Sequence, residues 1–277
     1  MPKKELPIEP IPSELKPKDP RIPKMKYKDL PKLPCNMVIL GRVGSGKSSC
    51  LWSLLTEGYV YGKGKKSVFD EMVFFVGNQE SLPTLQKIKC KNKCFLDEYE
   101  TESFEDYLDN LKAHQLERLE KGKHPLQVAI IFDDMAGVAL MKKPKGKNYS
   151  VLERLLLTSR HEANASILFL TQVYKSGGFT NPLCRNNVMC WVIYNMSKPE
   201  MEKIAEDHSQ QYSPQEFLQM YNKLMETPYN FMTIDYRRPL NDRIWERFSN
   251  PLTLKGVQEH ESESDKETIS SSEEDSD

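Results

Sequence analysis

The chain has 277 residues, of which 38% are hydrophobic and 29% charged, so it is long enough for one large domain with tails. It contains no apolar run of about 18 residues, so no membrane span is predicted, and its first residues, MPKKELPIEPIP, lack the apolar core of a secretory signal. The net charge of −1 hides an asymmetry, because residues 259–277 carry nine acidic side chains and one lysine, which leaves +7 on the rest. A basic body favours contact with a polyanion, although a solvated surface with a solubilising tail explains the same charges.

The two ends of the chain differ in composition from the middle. Residues 1–34 hold nine of the 18 prolines, interspersed with lysines, which predicts an extended arm or a plain disordered leader. Residues 256–277 are acidic and serine-rich, which predicts a disordered tail. We therefore expect an arm over 1–34, a folded domain over 35–255 and a tail over 256–277.

Short apolar runs alternate with longer amphipathic stretches between these ends. The runs are rich in β-branched and aromatic residues and predict buried strands over 36–41, 71–77, 128–134, 166–172, 188–195 and 231–236. Helical spacing predicts helices over 47–56, 103–120, 150–163, 198–208 and 213–226, the last two with capping signals at Ser197 and Ser213. This alternation predicts an α/β fold with a mainly parallel central sheet flanked by helices.

The stretch CNMVILGRVGSGKSSCLWSLL, residues 35–55, runs from an apolar strand through a glycine-rich turn into an apolar helix. Within it GRVGSGKS matches the phosphate-binding loop G-x-x-x-x-G-K-[ST] at every fixed position. The glycines let backbone N–H groups point at phosphate oxygens, and the helix N-terminus adds partial positive charge. We expect Lys47 to contact the β- and γ-phosphates and Ser48 to bind Mg²⁺. The predicted nucleotide-binding residues are Gly41, Arg42, Val43, Gly44, Ser45, Gly46, Lys47, Ser48 and Ser49.

Two adjacent carboxylates, Asp133 and Asp134, follow the apolar run VAIIF. A buried strand next to the P-loop would deliver Asp133 to the Mg²⁺ shell and place Asp134 at the strand tip, where it can polarise the attacking water. The alternative is a solvated turn. Because a hydrolysing ATPase needs the second acid, and the chain has no N-K-x-D signature of a GTPase, the sequence favours hydrolysis of ATP.

Polar residues flank the next apolar strand. Gln172 follows SILFLT, where P-loop ATPases can place a side chain that senses the γ-phosphate; the alternative is an amide that satisfies local backbone. Arg160 precedes the strand, so in a parallel sheet it would lie at the edge opposite its own nucleotide. We expect it to act as an arginine finger in a neighbouring subunit, or to form a surface salt bridge with Glu162. Arg154 and Arg185 are reserve candidates for the finger.

The order of these motifs resembles that of the poxvirus-type genome-packaging ATPases, which occur in large eukaryotic DNA viruses, virophages and Polinton-like elements and belong to the FtsK–HerA branch of P-loop motors. The resemblance runs over residues 35–236 and rests on the P-loop, FDDM, SRHxxxxSILFLTQ and NPLCRNN, whose Arg185 and Asn186 fall in the family's Arg-x-Asn segment. The chain departs from the family in two places: NPLC stands where isoleucine–proline is usual, and Asp134 stands where many ring motors carry glutamate.

The resemblance implies a RecA-like P-loop domain, a homo-oligomeric ring of six or five subunits, and movement of double-stranded DNA into a capsid. It implies catalytic roles for Lys47, Asp134, Gln172 and Arg160, with Ser48 and Asp133 at the metal. It also implies a capsid vertex or portal component as partner, and a viral assembly site of the host cell, a cytoplasmic factory or the nucleus, or the virion, as location.

A lysine-rich loop could supply the DNA contact that such a motor needs. Residues 141–147, MKKPKGK, carry four lysines, and lysine binds phosphate without reading sequence. We expect contacts from Lys142, Lys143, Lys145 and Lys147, against the alternative of a solvated loop.

Two other functions share the P-loop. A nucleoside or nucleotide kinase would need a lid arginine cluster or an acceptor-site signature, and the sequence shows neither. A non-catalytic, ATP-dependent assembly switch would bind ATP and oligomerise with negligible turnover, and an intact Asp133–Asp134 pair argues against it.

Overall fold

The computed structural model describes residues 30–56, 62–63, 66–77, 82–96, 99–134, 138–175 and 177–254. Its strands are β1 Asn36–Leu40, β2 Gly62–Lys63, β3 Lys66–Ser67, β4 Glu71–Val76, β5 Asn92–Leu96, β6 Val128–Asp133, β7 Ala165–Thr171, β8 Cys190–Ile193, β9 Met232–Asp235, β10 Ile244–Glu246 and β11 Asn250–Pro251. Its helices are α1 Lys47–Leu55, α2 Leu82–Leu85, α3 Thr101–Glu120, α4 Val151–Glu162, α5 Pro182–Asn186, α6 Lys198–His208 and α7 Pro214–Met225, with short 3₁₀ turns at Val138–Met141, Gly177–Thr180 and Leu240–Asp242.

Nine strands form one sheet in the order β11-β10-β9-β8-β1-β7-β6-β4-β5. The six from β8 to β5 are parallel to their neighbours, and β9, β10 and β11 add antiparallel to that block. The prediction of a mainly parallel central sheet is confirmed. Because all parallel strands end at one edge, that edge collects the P-loop and the residues after β6 and β7.

Helices cover both faces of the sheet, so the central strands are buried on both sides. Along β1, Val38 and Leu40 join the cluster that contains α3, α4, α6 and α7, whereas Met37 and Ile39 join the cluster under α1. The second cluster also contains buried Leu30 and Leu33, so the packed part of the chain has begun by residue 30. Most of the predicted arm and the whole acidic tail lie outside the described residues.

A row of stacked rings connects three of these strands. Phe132 on β6 stacks on Phe75 of β4 and on Phe169 of β7, with ring centroids 4.9 and 5.0 Å apart. Cross-strand aromatic pairs of this kind fix the strand register. The row lies directly before Asp133, and it therefore fixes the position at which the two carboxylates leave the sheet.

Helix starts follow the predicted capping chemistry only in part. Ser213 forms a capping box with Glu216, and Ser150 forms another with Glu153 at the start of α4. The prediction for Ser197 is wrong in one respect: it occupies the N-cap of α6, but its side chain makes no capping bond. In the described part of the chain, no helix combines the length and apolarity needed to cross a membrane.

Candidate nucleotide-binding and hydrolysis site

The P-loop joins β1 to α1 and requires glycine at three positions. Gly44 and Gly46 have φ values of 74° and 107°, in the left-handed region that favours glycine. Gly41 needs space instead, because a β-carbon there would lie 2.3 Å from Ser45 Oγ and 2.8 Å from Tyr194 Cβ. The three glycines of the motif therefore have separate structural causes.

Lys47 is buried at the start of α1 and points back into the loop. Its Nζ donates to the carbonyl oxygens of Gly41, at 2.8 Å, and Arg42, at 3.1 Å. Burial lowers the pKa of Lys47, while the charges of Asp134 and Asp133 oppose that shift. The ammonium group therefore lies close enough to both carboxylates to interact with them electrostatically. A lysine that contacts a phosphate bound between the P-loop and these carboxylates would need this position.

The loop fits a polyphosphate in two further respects. Gly46 is the N-cap of the nine-residue helix α1, whose free N–H groups favour an anion. Ser45 Oγ is buried, and among the described residues it has no hydrogen-bond partner, so its hydroxyl is available to a phosphate oxygen.

The other predicted loop residues differ in exposure. Ser48 is half-buried and Ser49 is exposed. Arg42 and Val43 point to solvent, Val43 with 81% of its surface exposed. Neither side chain lines the cavity beside the P-loop, and their role in nucleotide binding stays a prediction.

The two predicted carboxylates separate in environment. Asp133 is the last residue of β6 and is only 3% exposed, whereas Asp134 is exposed and has left the strand with φ 54°. The backbone N–H of Asp134 still donates to the carbonyl oxygen of Leu170 on β7, at 3.0 Å. A left-handed backbone at a non-glycine residue is strained and is often found at functional sites.

Gln172 lies beside Asp134. Its Nε2 donates to Asp134 Oδ2 at 3.0 Å, so the predicted γ-phosphate sensor and the predicted base form a direct hydrogen bond. The amide holds one carboxylate oxygen and leaves the other as an acceptor for a water proton. The loop carrying Gln172 is tied to α6, since Tyr174 N–H donates to Glu200 Oε2 and its hydroxyl donates to Asp207 Oδ2, both at 2.7 Å.

Ser48 and Asp133 supply a hydroxyl and a carboxylate oxygen, the ligand chemistry that Mg²⁺ prefers. No cluster of three or more histidine, cysteine or acidic side chains that could hold a metal occurs in the described ranges. A magnesium ion at the P-loop would be held by these two residues together with phosphate oxygens and water, as in other P-loop enzymes.

Arg160 lies at the sheet edge opposite the P-loop, as the parallel topology predicts. Its Nη1 is 3.0 Å from Met189 Sδ and its Nη2 is 3.0 Å from His161 Nε2. The predicted alternative, a salt bridge with Glu162, is wrong, because Glu162 pairs with Lys112 of α3 at 2.9 Å. Burial and the charge of Arg237 lower the pKa of Arg160.

The two reserve arginines have structural roles. Arg154 is buried in ion pairs with Glu105 and Asp109. Arg185 donates to the carbonyl oxygens of Phe179 and Thr180 at 2.7 and 2.8 Å, and is 3.3 Å from a carboxylate oxygen of Asp207. Both guanidinium groups hold the fold together, which leaves Arg160 as the candidate finger.

The four lysines of the 141–147 loop, Lys142, Lys143, Lys145 and Lys147, are exposed. The loop lies between β6 and the start of α4, at the same edge of the sheet as the P-loop. Lys147 Nζ lies 6.0 Å from the ring centroid of Tyr149. The loop is thus an accessible basic surface at the edge of the sheet where the P-loop lies.

Sequence reasoning missed one wall of the site. A cavity of about 1030 Å³ opens from the P-loop and is also lined by Tyr194, Tyr229, Phe231, Arg247 and Phe248. These residues lie far along the chain and match no motif. The only signals were the apolar runs 188–195 and 231–236, which contain Tyr194 and Phe231 and predict strands but not which way these side chains face.

The model of the family described as Poxvirus A32 protein matches residues 23–234. Among solved structures, B204, the DNA-packaging ATPase from Sulfolobus turreted icosahedral virus, is 16% identical with a TM-score of 0.52, over 80% of this chain and 99% of that chain. The pCW3 conjugation coupling protein TcpA with ATPγS is 17% identical with a TM-score of 0.46, over 73% of this chain and 57% of that chain. No curated protein matches the chain. The first structure confirms the predicted fold class.

Proposed function

The chain belongs to the Poxvirus A32 protein family of genome-packaging ATPases, and we propose that it is an ATP-hydrolysing motor that moves double-stranded DNA into a viral capsid. The hydrogen bond between Gln172 and Asp134 beside the P-loop is the observation that supports ATP hydrolysis. It joins a base and an amide at the point where the terminal phosphate and its attacking water would meet.

Each residue of the site has a separate task in this mechanism. The P-loop and Lys47 bind the phosphates of ATP and offset the charge that develops on them. Ser48 and Asp133 would hold magnesium, which when bound would neutralise charge on the phosphates. Asp134, oriented by Gln172, accepts a proton from the attacking water. The water oxygen bonds to the γ-phosphorus while the bond from that phosphorus to the leaving oxygen of ADP breaks, which yields phosphate and ADP.

We further propose that the subunits act in a ring and that Arg160 completes the site of a neighbour. Arg160 lies away from its own P-loop, its described contacts include no carboxylate, and its Nε has no hydrogen-bond partner among the described residues. A guanidinium group without a carboxylate partner can turn to the phosphates of the next subunit at little electrostatic cost.

Mixing two inactive variants tests this role. Arg160→Ala should lose most ATPase activity, because the arginine finger stabilises charge in the transition state. Rings assembled from Arg160→Ala and Asp134→Asn subunits should recover part of the wild-type rate, since some interfaces then combine an intact base with an intact finger. ATPase rates of mixed and separate samples, with oligomer mass measured in parallel, check this. Mixed rings without activity would contradict action between subunits.

The exposed loop lysines give the motor a surface for duplex DNA. We expect long duplex DNA to raise the ATPase rate several-fold, and we expect a variant with Lys142, Lys143, Lys145 and Lys147 changed to glutamine to lose that stimulation. The DNA-free rate should stay unchanged, because within the described part of the chain these side chains form no hydrogen bond or ion pair with the P-loop. Stimulation should also fall as salt concentration rises, because phosphate contacts release counterions.

The matched control changes four exposed lysines elsewhere, Lys87, Lys89, Lys121 and Lys123, to glutamine. Equal loss of stimulation in the control would assign the effect to overall charge.

A wild-type ATPase rate that DNA does not change would count against the motor, and phosphate transfer to a nucleoside in place of water would favour a kinase. Nucleotide-dependent assembly with negligible turnover would favour an assembly switch.

We propose the capsid vertex or portal as the docking partner and a viral assembly site as the location of the motor.

A further inference from the structure

The cavity beside the P-loop continues into an aromatic chamber, formed by Tyr194, Tyr229, Phe231, Arg247 and Phe248. One face of α1 forms its opposite side, through Ser49 and Ser53. The ring of Phe231 packs on Phe248 and on Tyr194, with centroids 5.1 and 4.9 Å apart. The mechanism above gives these residues no task.

The antiparallel strands β9 and β10 bring this chamber to the P-loop. Met232, the first residue of β9, pairs with Ile193 at the end of β8, and Glu246, the last of β10, pairs with Met232. Residues 229–231 and 247–249 therefore leave the sheet at the edge where β1 enters the P-loop.

Tyr229 precedes β9 and Arg247 follows β10, at the same end of this antiparallel pair, and both have strained backbones. Their φ values are 57° and 52°, and together with Asp134 they make up three of the five non-glycine residues with positive φ in the described part of the chain. Strained residues of this kind cluster at ligand and catalytic sites. Tyr229 and Arg247 line the cavity, and Asp134 interacts electrostatically with Lys47, which lines it too.

The two side chains present flat surfaces. Tyr229 is 72% exposed, and a β-carbon built on Gly46 would lie 3.8 Å from its Cδ1, so the ring stands over the turn of the P-loop. Two neighbouring residues fix the guanidinium group of Arg247. Its Nε donates to Asn230 Oδ1 at 3.0 Å, and its guanidinium carbon lies 6.0 Å from the centroid of the Phe231 ring.

We propose that this aromatic chamber binds the base of the nucleoside triphosphate and that Tyr229 is the residue on which the base stacks. The proposal rests on the proposed function, since it takes the P-loop as the phosphate site. Among the described residues lining the cavity, none has a carboxylate or carboxamide side chain, the groups that read donors on a base edge. Recognition through ring faces accepts any purine, because every base has a π-face.

Equilibrium binding to the full chain tests this proposal without turnover. Titration calorimetry would compare a non-hydrolysable ATP analogue, the matching GTP analogue and inorganic tripolyphosphate, each with Mg²⁺. Tyr229→Ala should weaken both nucleotide analogues by about tenfold or more, the loss expected for one stacked base, and leave tripolyphosphate unchanged. Tyr229→Phe keeps the ring and should bind all three ligands within about twofold of wild type.

Unchanged affinity for the ATP analogue in Tyr229→Ala would overturn the proposal. So would an equal loss for tripolyphosphate, because Tyr229 would then act on the P-loop, or a loss confined to one of the two nucleotides, because the site would then read base edges. Absent ATPase activity or DNA stimulation would count against the proposed function and leave these binding results intact.

Discussion

Changing Lys47 to alanine is expected to weaken ATP binding by about 100-fold and to abolish ATPase activity. In the structure, Lys47 Nζ makes two hydrogen bonds to loop carbonyl groups and lies near Asp133 and Asp134. Charge-assisted hydrogen bonds contribute about 1.5–3 kcal/mol each, so losing the predicted contacts of Lys47 with the β- and γ-phosphates costs about 3 kcal/mol at the lower limit, which corresponds to that factor. Calorimetric titration with the ATP analogue and a phosphate-release assay measure the two effects.

Lys123→Ala is the matched control for this variant. Lys123 is exposed beyond the end of α3, so its loss should change neither binding nor turnover. If Lys47→Ala keeps wild-type affinity for the analogue while remaining folded by circular dichroism, the P-loop does not bind phosphate in the way described.

Changing Asp134 to asparagine is expected to separate binding from hydrolysis. Asparagine has the same shape, can accept the hydrogen bond from Gln172 and tolerates the left-handed backbone at φ 54°, but it cannot take a proton from water. We expect ATP affinity within about threefold of wild type and a fall in kcat of about 10²- to 10⁴-fold, the usual contribution of a general base.

Single-turnover kinetics and analogue binding on the same preparation measure both quantities. Asp106→Asn, which changes an exposed carboxylate on α3, should leave both unchanged. Wild-type turnover in Asp134→Asn would remove Asp134 as the base, and loss of analogue binding would show that its charge serves the nucleotide instead.

The parts of the site that could be predicted from the sequence are those encoded by local spacing. The P-loop and the carboxylates after β6 each lie at the end of a continuous apolar strand, and parallel strands bring such ends together. The same reasoning predicted that Gln172 lies close to the phosphates and that Arg160 lies at the far edge. It could not predict the Gln172–Asp134 hydrogen bond, which depends on the left-handed turn at Asp134.

The missed strands have two physical causes, short length and exposure. Strand β10 is three residues long and β11 two, too short for an apolar period to be recognised. Strand β5, NKCFL, is an edge strand with an exposed start, and the lysines before it, Lys87, Lys89 and Lys91, make the segment resemble a solvated loop. The aromatic chamber depends on the antiparallel strands β10 and β11. Its residues could therefore not be connected to the P-loop before the sheet order was known.

The pairing of Arg160 with Glu162 fails for a geometric reason. Residues two apart on a helix do not face each other, whereas Lys112 of α3 lies directly against Glu162. The opposite charge of Glu162, two residues away in sequence, therefore did not identify the partner of Arg160. The packing of α3 on α4 instead pairs Glu162 with Lys112.

The central claim is that hydrolysis at this site moves the protein along duplex DNA. A triplex-displacement assay measures this directly, because a motor that travels along a duplex strips a fluorescent third strand from its far end. We predict release that requires ATP, that fails in Asp134→Asn, and whose lag lengthens with the distance between loading site and triplex. ATP hydrolysis stimulated by DNA with no third strand released at any distance would contradict the account.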